Sequence, residues 1–242
     1  MRDAERVRRA TDVWPLPSEP RPDSITGLAE GLLPRGAVVR ECRIPDLVEP
    51  FCPGEAPAGA SPKRQREYLA GRWCARAALA AFGVPPSPLP MRPDRTPAWP
   101  DAFVGSIAHS EHYCAAAVAP RAVLVAIGID IEEVERFDSG VLYAICTDGE
   151  RAALDRAGEA ARPIAGCVLF SAKEAFYKCQ YTLTGSWLDF DAAEIRLLPE
   201  SGAFEVNVLR GLPPELPGAR FMGRYSVTRD LVATAIGIPA DV

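Results

Sequence analysis

Residues 125–137 read VAIGIDIEEVERF, an apolar run that passes straight into carboxylates. On a strand, side chains alternate faces, so Asp130 and Glu132 project together while Ile129, Ile131 and Glu133 take the other side. Two carboxylates on one face either repel or share a cation. Oxygen donors of this hardness suit magnesium, which takes one or two protein carboxylates together with waters and phosphates. A solvated acidic strand end has the same D-x-E spelling, so the pair needs a partner elsewhere. Glu133 and Glu135 have no ligand role and are expected in solvent.

A partner stands in FSAKEAFYK, residues 170–178, where Glu174 and Lys178 sit one helical turn apart and Lys173 flanks them. The same spacing describes an ordinary salt-bridged surface turn. Basic residues gather in SPKRQREYLAGRWCARAALAAFG, residues 61–83, as Lys63, Arg64, Arg66, Arg72 and Arg76. Arg64 and Arg72 fall about 80° apart around a helix axis. Arg72 and Arg76 are like charges one turn apart, favourable only beside an anion. That face is either a phosphate site or a solvated basic surface. The only two histidines, His109 and His112, lie in GSIAHSEHY, where a strand end can present a ring to a ligand or simply seat it in the fold.

The elements that must hold these groups are legible in the pattern. Ser61 as N-cap, Pro62 in the first helical position and Gly83 at the end bound a helix, with Leu69, Trp73, Ala77 and Ala80 as its apolar face. A proline-rich connector follows at 85–100. Residues 103–120 form two strands around a turn at Ser110 to His112, and 122–134 supplies a further strand, apolar enough to be central. Thr147 and Glu150 have the spacing of a capping box, starting a helix, and a second helix covers about 164–181. After Ala193 two antiparallel hairpins turn at PESG and TRD. Long helices with mainly antiparallel strands make the class α+β. Residues 1–24, rich in Arg and Pro, are read as a loosely packed arm without chemistry.

Composition bounds the rest. With 242 residues, 48% of them hydrophobic, the chain can bury a large core. Its net charge of −5 argues against nucleic acid and anionic membrane as partners. No segment is apolar for long enough to cross a membrane and the N-terminus lacks a signal-peptide core, so the expected location is cytoplasmic. Seven cysteines scattered singly lack metal-site spacing and are read as reduced, mostly buried thiols.

In this order and spacing the segments resemble the 4'-phosphopantetheinyl transferases, the Sfp-like class and within it the enterobactin synthetase component D type. KRQREYLAGRWCARAAL is similar to the family's arginine-rich first helix, GSIAHS to its Ser-x-x-His turn, GIDIE to its metal motif and FSAKEAFYK to its lysine–glutamate helix. The match runs from about Lys63 to near Trp187. The resemblance implies two pseudo-twofold-related α+β halves with mainly antiparallel sheets: 25–120 on the coenzyme A 3'-phosphate and adenosine side, and 121–242 on the metal and catalytic side. It implies Asp130, Glu132 and Glu174 as magnesium ligands. Arg64, Arg72, Arg95 (or Arg92) and His109 would contact coenzyme A, and Lys173 and Lys178 would approach its pyrophosphate and pantetheine. Glu150 matches a proposed catalytic base and is equally the N3 residue of the capping box; a metal-held water or Lys173 could take the proton instead. The reaction implied is transfer of 4'-phosphopantetheine to a serine of an apo acyl or peptidyl carrier protein, releasing adenosine 3',5'-bisphosphate.

A magnesium-dependent nuclease or phosphohydrolase would use a similar carboxylate set, although a basic, aromatic-rich stripe for polynucleotide is absent. A non-enzymatic module that binds a carrier protein or a nucleotide would not need three carboxylates and two lysines. A chain that supplies both sides of its own cleft is expected to be a monomer.

Overall fold

A computed structural model describes residues 27–44, 50–53, 55–137, 140–211 and 220–240. The arm at 1–24 lies outside them.

The elements in chain order are β1 (Val38–Arg43), α1 (Pro62–Ala80), β2 (Phe103–His109), β3 (Tyr113–Pro120), β4 (Leu124–Glu133), α2 (Val141–Ile145), α3 (Asp148–Ala157), α4 (Arg162–Thr184), β5 (Ala193–Leu198), β6 (Ala203–Val208), β7 (Arg220–Val227) and β8 (Leu231–Pro239). They form two antiparallel sheets, one ordered β1-β3-β2 and the other β4-β8-β7-β6-β5. The α+β class follows as expected. β1 and α2 had no distinct signal in the sequence.

Both sheets are covered on two faces, and the alternation of each strand shows how. Tyr113, Ala115, Ala117 and Ala119 of β3 enter one core with Ile127, Ile129 and Ile131 of β4 and with Leu231, Ala233 and Ala235 of β8. The intervening Cys114, Ala116 and Val118 meet α1 through Ala70, Cys74, Ala75, Ala78 and Leu79. Even-numbered positions of β4 and β8, among them Ala126 and Ile236, face α4 instead. The layers therefore run α1, small sheet, large sheet, α4. Small side chains along β3 let the sheets approach, and each fully buried isoleucine of β4 contributes about 1.5–3 kcal/mol.

Two local expectations are corrected. β4 is not central in its sheet but lies at the edge, paired only with β8 among the described strands. Its apolar run comes from burial between α4 and the small sheet rather than from two strand neighbours, and Ser106 Oγ on β2 accepts the edge N–H of Ile129 at 3.1 Å. Trp73 is exposed, and the buried face of α1 is carried by Tyr68, Leu69, Cys74, Ala75, Ala78 and Leu79. The Ser61 cap and the Pro at the start are as read; helical bonding ends at Ala81, and Gly83, at a left-handed φ of 76°, turns the chain so that the Val84 N–H reaches back to Leu79 O, as expected of a terminating glycine.

α4 ends at Gly185, whose left-handed φ of 62° lets its N–H reach Tyr181 O. More consequential is Gly128, on the α4 side of β4. A Cβ there would lie 1.8 Å from Ala175 O and 2.8 Å from Cys179 N, so helix and strand touch backbone to backbone. Gly128→Ala must push α4 off β4, and overpacking of this kind costs about 1–3 kcal/mol or more. Urea denaturation is expected to show that loss; an unchanged midpoint would mean that the helix does not rest on this glycine.

Candidate active site

Alternation on β4 aims Ala126, Gly128, Asp130 and Glu132 at α4. On α4, Ser171, Glu174 and Lys178 fall within about 60° of one another around the axis, so one helix face meets one strand face. Asp130 is buried. Its Oδ1 accepts from Lys178 Nζ at 2.7 Å and its Oδ2 from Ser171 Oγ at 2.9 Å. Lys178 also donates to Ile129 O at 3.1 Å. Thr234, the β8 partner of Asp130, donates to Ser171 O and lies 2.9 Å from Ser171 Oγ.

Asp130 thus holds the Lys178 ammonium directly, and Glu132 and Glu174 lie close enough to add to the charge it meets. Burial raises the Glu132 pKa, and the charges of Asp130, Glu174 and Glu133 add to it against Lys178, leaving it at about 8. Burial likewise raises Glu174, with Lys178 opposing and Asp130 adding. Burial works against the Lys178 ammonium, but the charge and hydrogen bond of Asp130, with Glu174 and Glu132, outweigh it and hold its pKa above the usual lysine value. An excess of hard oxygen donors over cations is what a divalent ion fits.

On the small-sheet side, Arg64 in the first turn of α1 donates through Nη1 to His109 Nε2 and lies 3.3 Å from Glu67 Oε2. That contact puts the ring proton on Nδ1, 3.7 Å from Glu67. Burial and then Arg64 push the His109 pKa down to about 4, against the pull of Glu67, with Lys178 and Asp130 close enough to be felt. The imidazole is neutral at pH 7, and the two clusters meet across the boundary between the sheets.

Other expected site residues are placed elsewhere. Lys173 points about 100–160° away from Ser171, Glu174 and Lys178 around α4. It is buried, pairs with Glu150 Oε1 at 3.0 Å, and donates to Phe190 O and Ala193 O at 2.7 Å each. Glu150, also buried, accepts from Thr147 N at 2.7 Å in a complete capping box and from Ile195 N at 2.6 Å. The capping alternative for Glu150 is therefore the one realised, and this pair braces α3, α4 and β5 instead of joining Asp130. Arg72 is buried too: its Nε donates to Leu89 O at 2.7 Å and its guanidinium stacks 4.2 Å from the Tyr68 ring centroid. It holds the 85–100 connector rather than standing beside Arg64. Arg76 pairs with Glu55 and covers Phe51, and Lys63 pairs with Glu111. Arg95 is exposed in a turn at φ 69°, its N–H bonded to Arg92 O, outside both clusters.

Glu133 departs from its expected solvation. It accepts from His112 N at 3.0 Å and faces the His112 ring at 3.3 Å. Burial opposes its ionisation, but hydrogen bonds from Ser110 and His112 prevail and lower its pKa. The odd face of β4 thereby grips the 110–112 turn. Ser106 was likewise missed as a link; its signal was a serine at a buried strand position. The larger apolar recess, between β7, β8 and Leu32–Pro34, has Arg224 as its only charged lining residue and offers no acid or base.

Two outcomes follow from these charges. Between pH 4.5 and 8 the native state holds a proton on Glu132 that the unfolded chain, at the ordinary carboxylate value, does not. Without divalent metal, stability should therefore fall as pH rises through that window, and Glu132→Gln should remove this part of the slope in thermal melts. Metal affinity should strengthen over the same window, since proton and cation compete. Separately, Lys173→Met leaves Glu150 buried and unpaired, a loss of about 3–5 kcal/mol. Adding Glu150→Gln should recover part of it in urea unfolding; no loss in the single variant would remove the pair's bracing role.

The chain matches two family models, the 4'-phosphopantetheinyl transferase N-terminal domain over residues 54–119 and the 4'-phosphopantetheinyl transferase superfamily over 126–219. It is 42% identical to 4'-phosphopantetheinyl transferase Svp of Streptomyces mobaraensis, across 81% of each chain. It is 40% identical to 4'-phosphopantetheinyl transferase PptT of Mycobacterium tuberculosis, across 76% of this chain and 84% of that one. Enterobactin synthase component D of Salmonella austin is 33% identical across 57% of each. With the two family models covering 54–119 and 126–219 and the first two of these relatives at 40–42% identity over more than four-fifths of their own length, the chain belongs to the Sfp-type 4'-phosphopantetheinyl transferase family.

Proposed function

We propose that the Asp130–Glu132–Glu174–Lys178 cluster is the reaction centre of a 4'-phosphopantetheinyl transferase and that Arg64 and His109 form its coenzyme A side. The protein is an enzyme that transfers 4'-phosphopantetheine to carrier proteins, with coenzyme A as donor. The observation supporting the assignment of the centre is the convergence of three carboxylates on one lysine, next to an arginine–histidine pair from the other sheet. The nuclease or phosphohydrolase alternative gives way to the family relationship.

Asp130, Glu132 and Glu174 suit a divalent ion, and hard carboxylate oxygens favour Mg2+. Held by Asp130, Glu132 and Glu174, such an ion would supply positive charge to offset what develops on the leaving adenosine 3',5'-bisphosphate. Lys178, kept protonated by its carboxylates, adds positive charge where the phosphoryl group transfers. Arg64 provides a charge-assisted donor for the 3'-phosphate, with neutral His109 fixing its direction. With Lys173 and Glu150 committed to each other, the serine proton passes to a water in the cleft. Beside Glu174 a recess lined by Tyr177, Trp187, Leu188 and Phe190, with Lys173 and Asp189 also in its wall, suits the pantetheine arm.

In this reading residues 25–120 form the adenosine half and 121–242 the metal half. Acyl or peptidyl carrier domains are the acceptors, the location is cytoplasmic and the enzyme is a monomer. Among the described residues no helix is long and apolar enough to cross a membrane.

Intact mass of an apo carrier protein incubated with coenzyme A, Mg2+ and the enzyme should rise by one phosphopantetheine. Asp130→Ala and Glu174→Ala should abolish the gain with circular dichroism unchanged; near-normal turnover by Asp130→Ala at saturating Mg2+ would overturn the centre. Arg64→Ala should raise KM for coenzyme A about ten- to a hundredfold, the ~1.5–3 kcal/mol of a hydrogen bond to a charged group, and raise it less for dephospho-coenzyme A. Equal losses on both would remove Arg64 from the 3'-phosphate.

A further inference from the structure

Three of the seven free cysteines converge away from the reaction centre. Cys42 on β1 stands across from Cys114 on β3, and Cys74 reaches both from α1. Their sulfurs make a nearly equilateral triangle, with Cys42–Cys114 and Cys74–Cys114 at 3.6 Å and Cys42–Cys74 at 3.7 Å. Cys74 and Cys114 are buried, while Cys42 is partly exposed and leaves one side open. The surroundings are apolar: Ala70, Ala75, Leu89, Ala116, Ile44 and Trp99.

The separations select a coordination geometry. A zinc–sulfur bond is about 2.3 Å, so two sulfurs 3.6–3.7 Å apart subtend about 105° at zinc, close to a tetrahedral angle. An ion in the plane of the sulfurs would sit only about 2.1 Å from each, shorter than that bond. It therefore stands out of the plane and keeps a fourth position free. Soft thiolates favour zinc over the hard ions suited to Asp130 and Glu132.

We propose that Cys42, Cys74 and Cys114 form a three-thiolate face for one tetrahedral zinc ion, its fourth position open on the Cys42 side to water or a small thiol. Binding replaces three S–H bonds by three Zn–S bonds and releases three protons to solvent, with no change of oxidation state. The ion ties β1, β3 and α1 together. Arg64 lies on that same helix, and His109 is the cross-strand partner of Cys114, so zinc stiffens the support of the proposed coenzyme side.

The test uses the reduced full-length protein, titrated without oxygen first with Co2+ and then with Zn2+. One equivalent of Co2+ should give a near-ultraviolet thiolate-to-cobalt charge-transfer band and the intense visible bands of a tetrahedral ion, both erased by Zn2+. Glu174→Ala should keep these bands, because carboxylate ligands do not produce the thiolate transition. Cys42→Ala, at the partly exposed corner, should abolish the band while retaining native circular dichroism, and should weaken zinc at least the roughly tenfold that even an outer partner's loss costs. Zinc should raise the Tm of the wild type and not of Cys42→Ala. No charge-transfer band in the wild type, or a band that persists in natively folded Cys42→Ala, would overturn the site and leave three thiols in packing contact only. The readout needs no coenzyme A or carrier, so its failure is distinct from failure of the transferase centre.

Discussion

Backbone contact between α4 and β4 at Gly128 is the constraint on which the site rests. With no side chain between them, Ala175 and Cys179 lie where a Cβ would stand. At that separation Ser171 and Lys178 can reach both oxygens of Asp130. A wider gap would leave Asp130 buried without partners, at a cost well beyond that of an exposed carboxylate. Helix and strand are thus held by packing and by charge at one crossing, and each makes the other's position rigid. Rigidity there matters because a metal or phosphate site displaced by an ångström loses most of its value.

The same helix carries charge on two faces, to different ends. On one, Lys173 meets Glu150, and the remaining donors and acceptors of both are taken by backbone groups. With all three Lys173 donors so used, the pair acts as a brace. On the other, Lys178 faces Asp130, Glu132 and Glu174, with more negative charge than one ammonium can balance. Burial raises the Glu132 and Glu174 carboxyls and the neighbouring carboxylates add to it, a cost that a divalent cation would relieve. A closed pair and an open cluster, separated by half a helical turn, distinguish support from chemistry more sharply than residue type does.

Much of this was legible because it is local. Helix caps at Ser61 and Thr147, the β2–β3 turn, the final hairpins and the shared face of Asp130 and Glu132 all follow from patterns a few residues long. Lys173 was a different case: the helical period already set it apart from Glu174 and Lys178, but the resemblance grouped all three. Arg72 turns inward because the proline-rich connector passes over α1, a contact made seventeen positions away at Leu89. Trp73 is exposed for the same kind of reason, since tertiary packing chose the neighbouring stripe of α1. The edge position of β4 depends on pairing with β8 at the far end of the chain, and the thiol triangle joins residues from three elements. Long-range register and convergence leave no short-range mark.

The edge position of β4 also explains how two sheets make one site. Had β2 paired with β4, the sheets would have merged and their shared edge would have been filled by a hydrogen-bond ladder. Instead Ser106 takes the Ile129 N–H through its side chain, and Glu133 takes the His112 N–H. These two side-chain links fix the sheets relative to each other beside the apolar core they share. Arg64 and His109 arrive from one side of that junction and the carboxylates from the other, near enough for His109 to feel both Asp130 and Lys178. In an acidic protein, Arg64 and Lys178 are thereby brought to one junction, while Arg72, Arg76 and Lys63 are held by partners elsewhere in the fold.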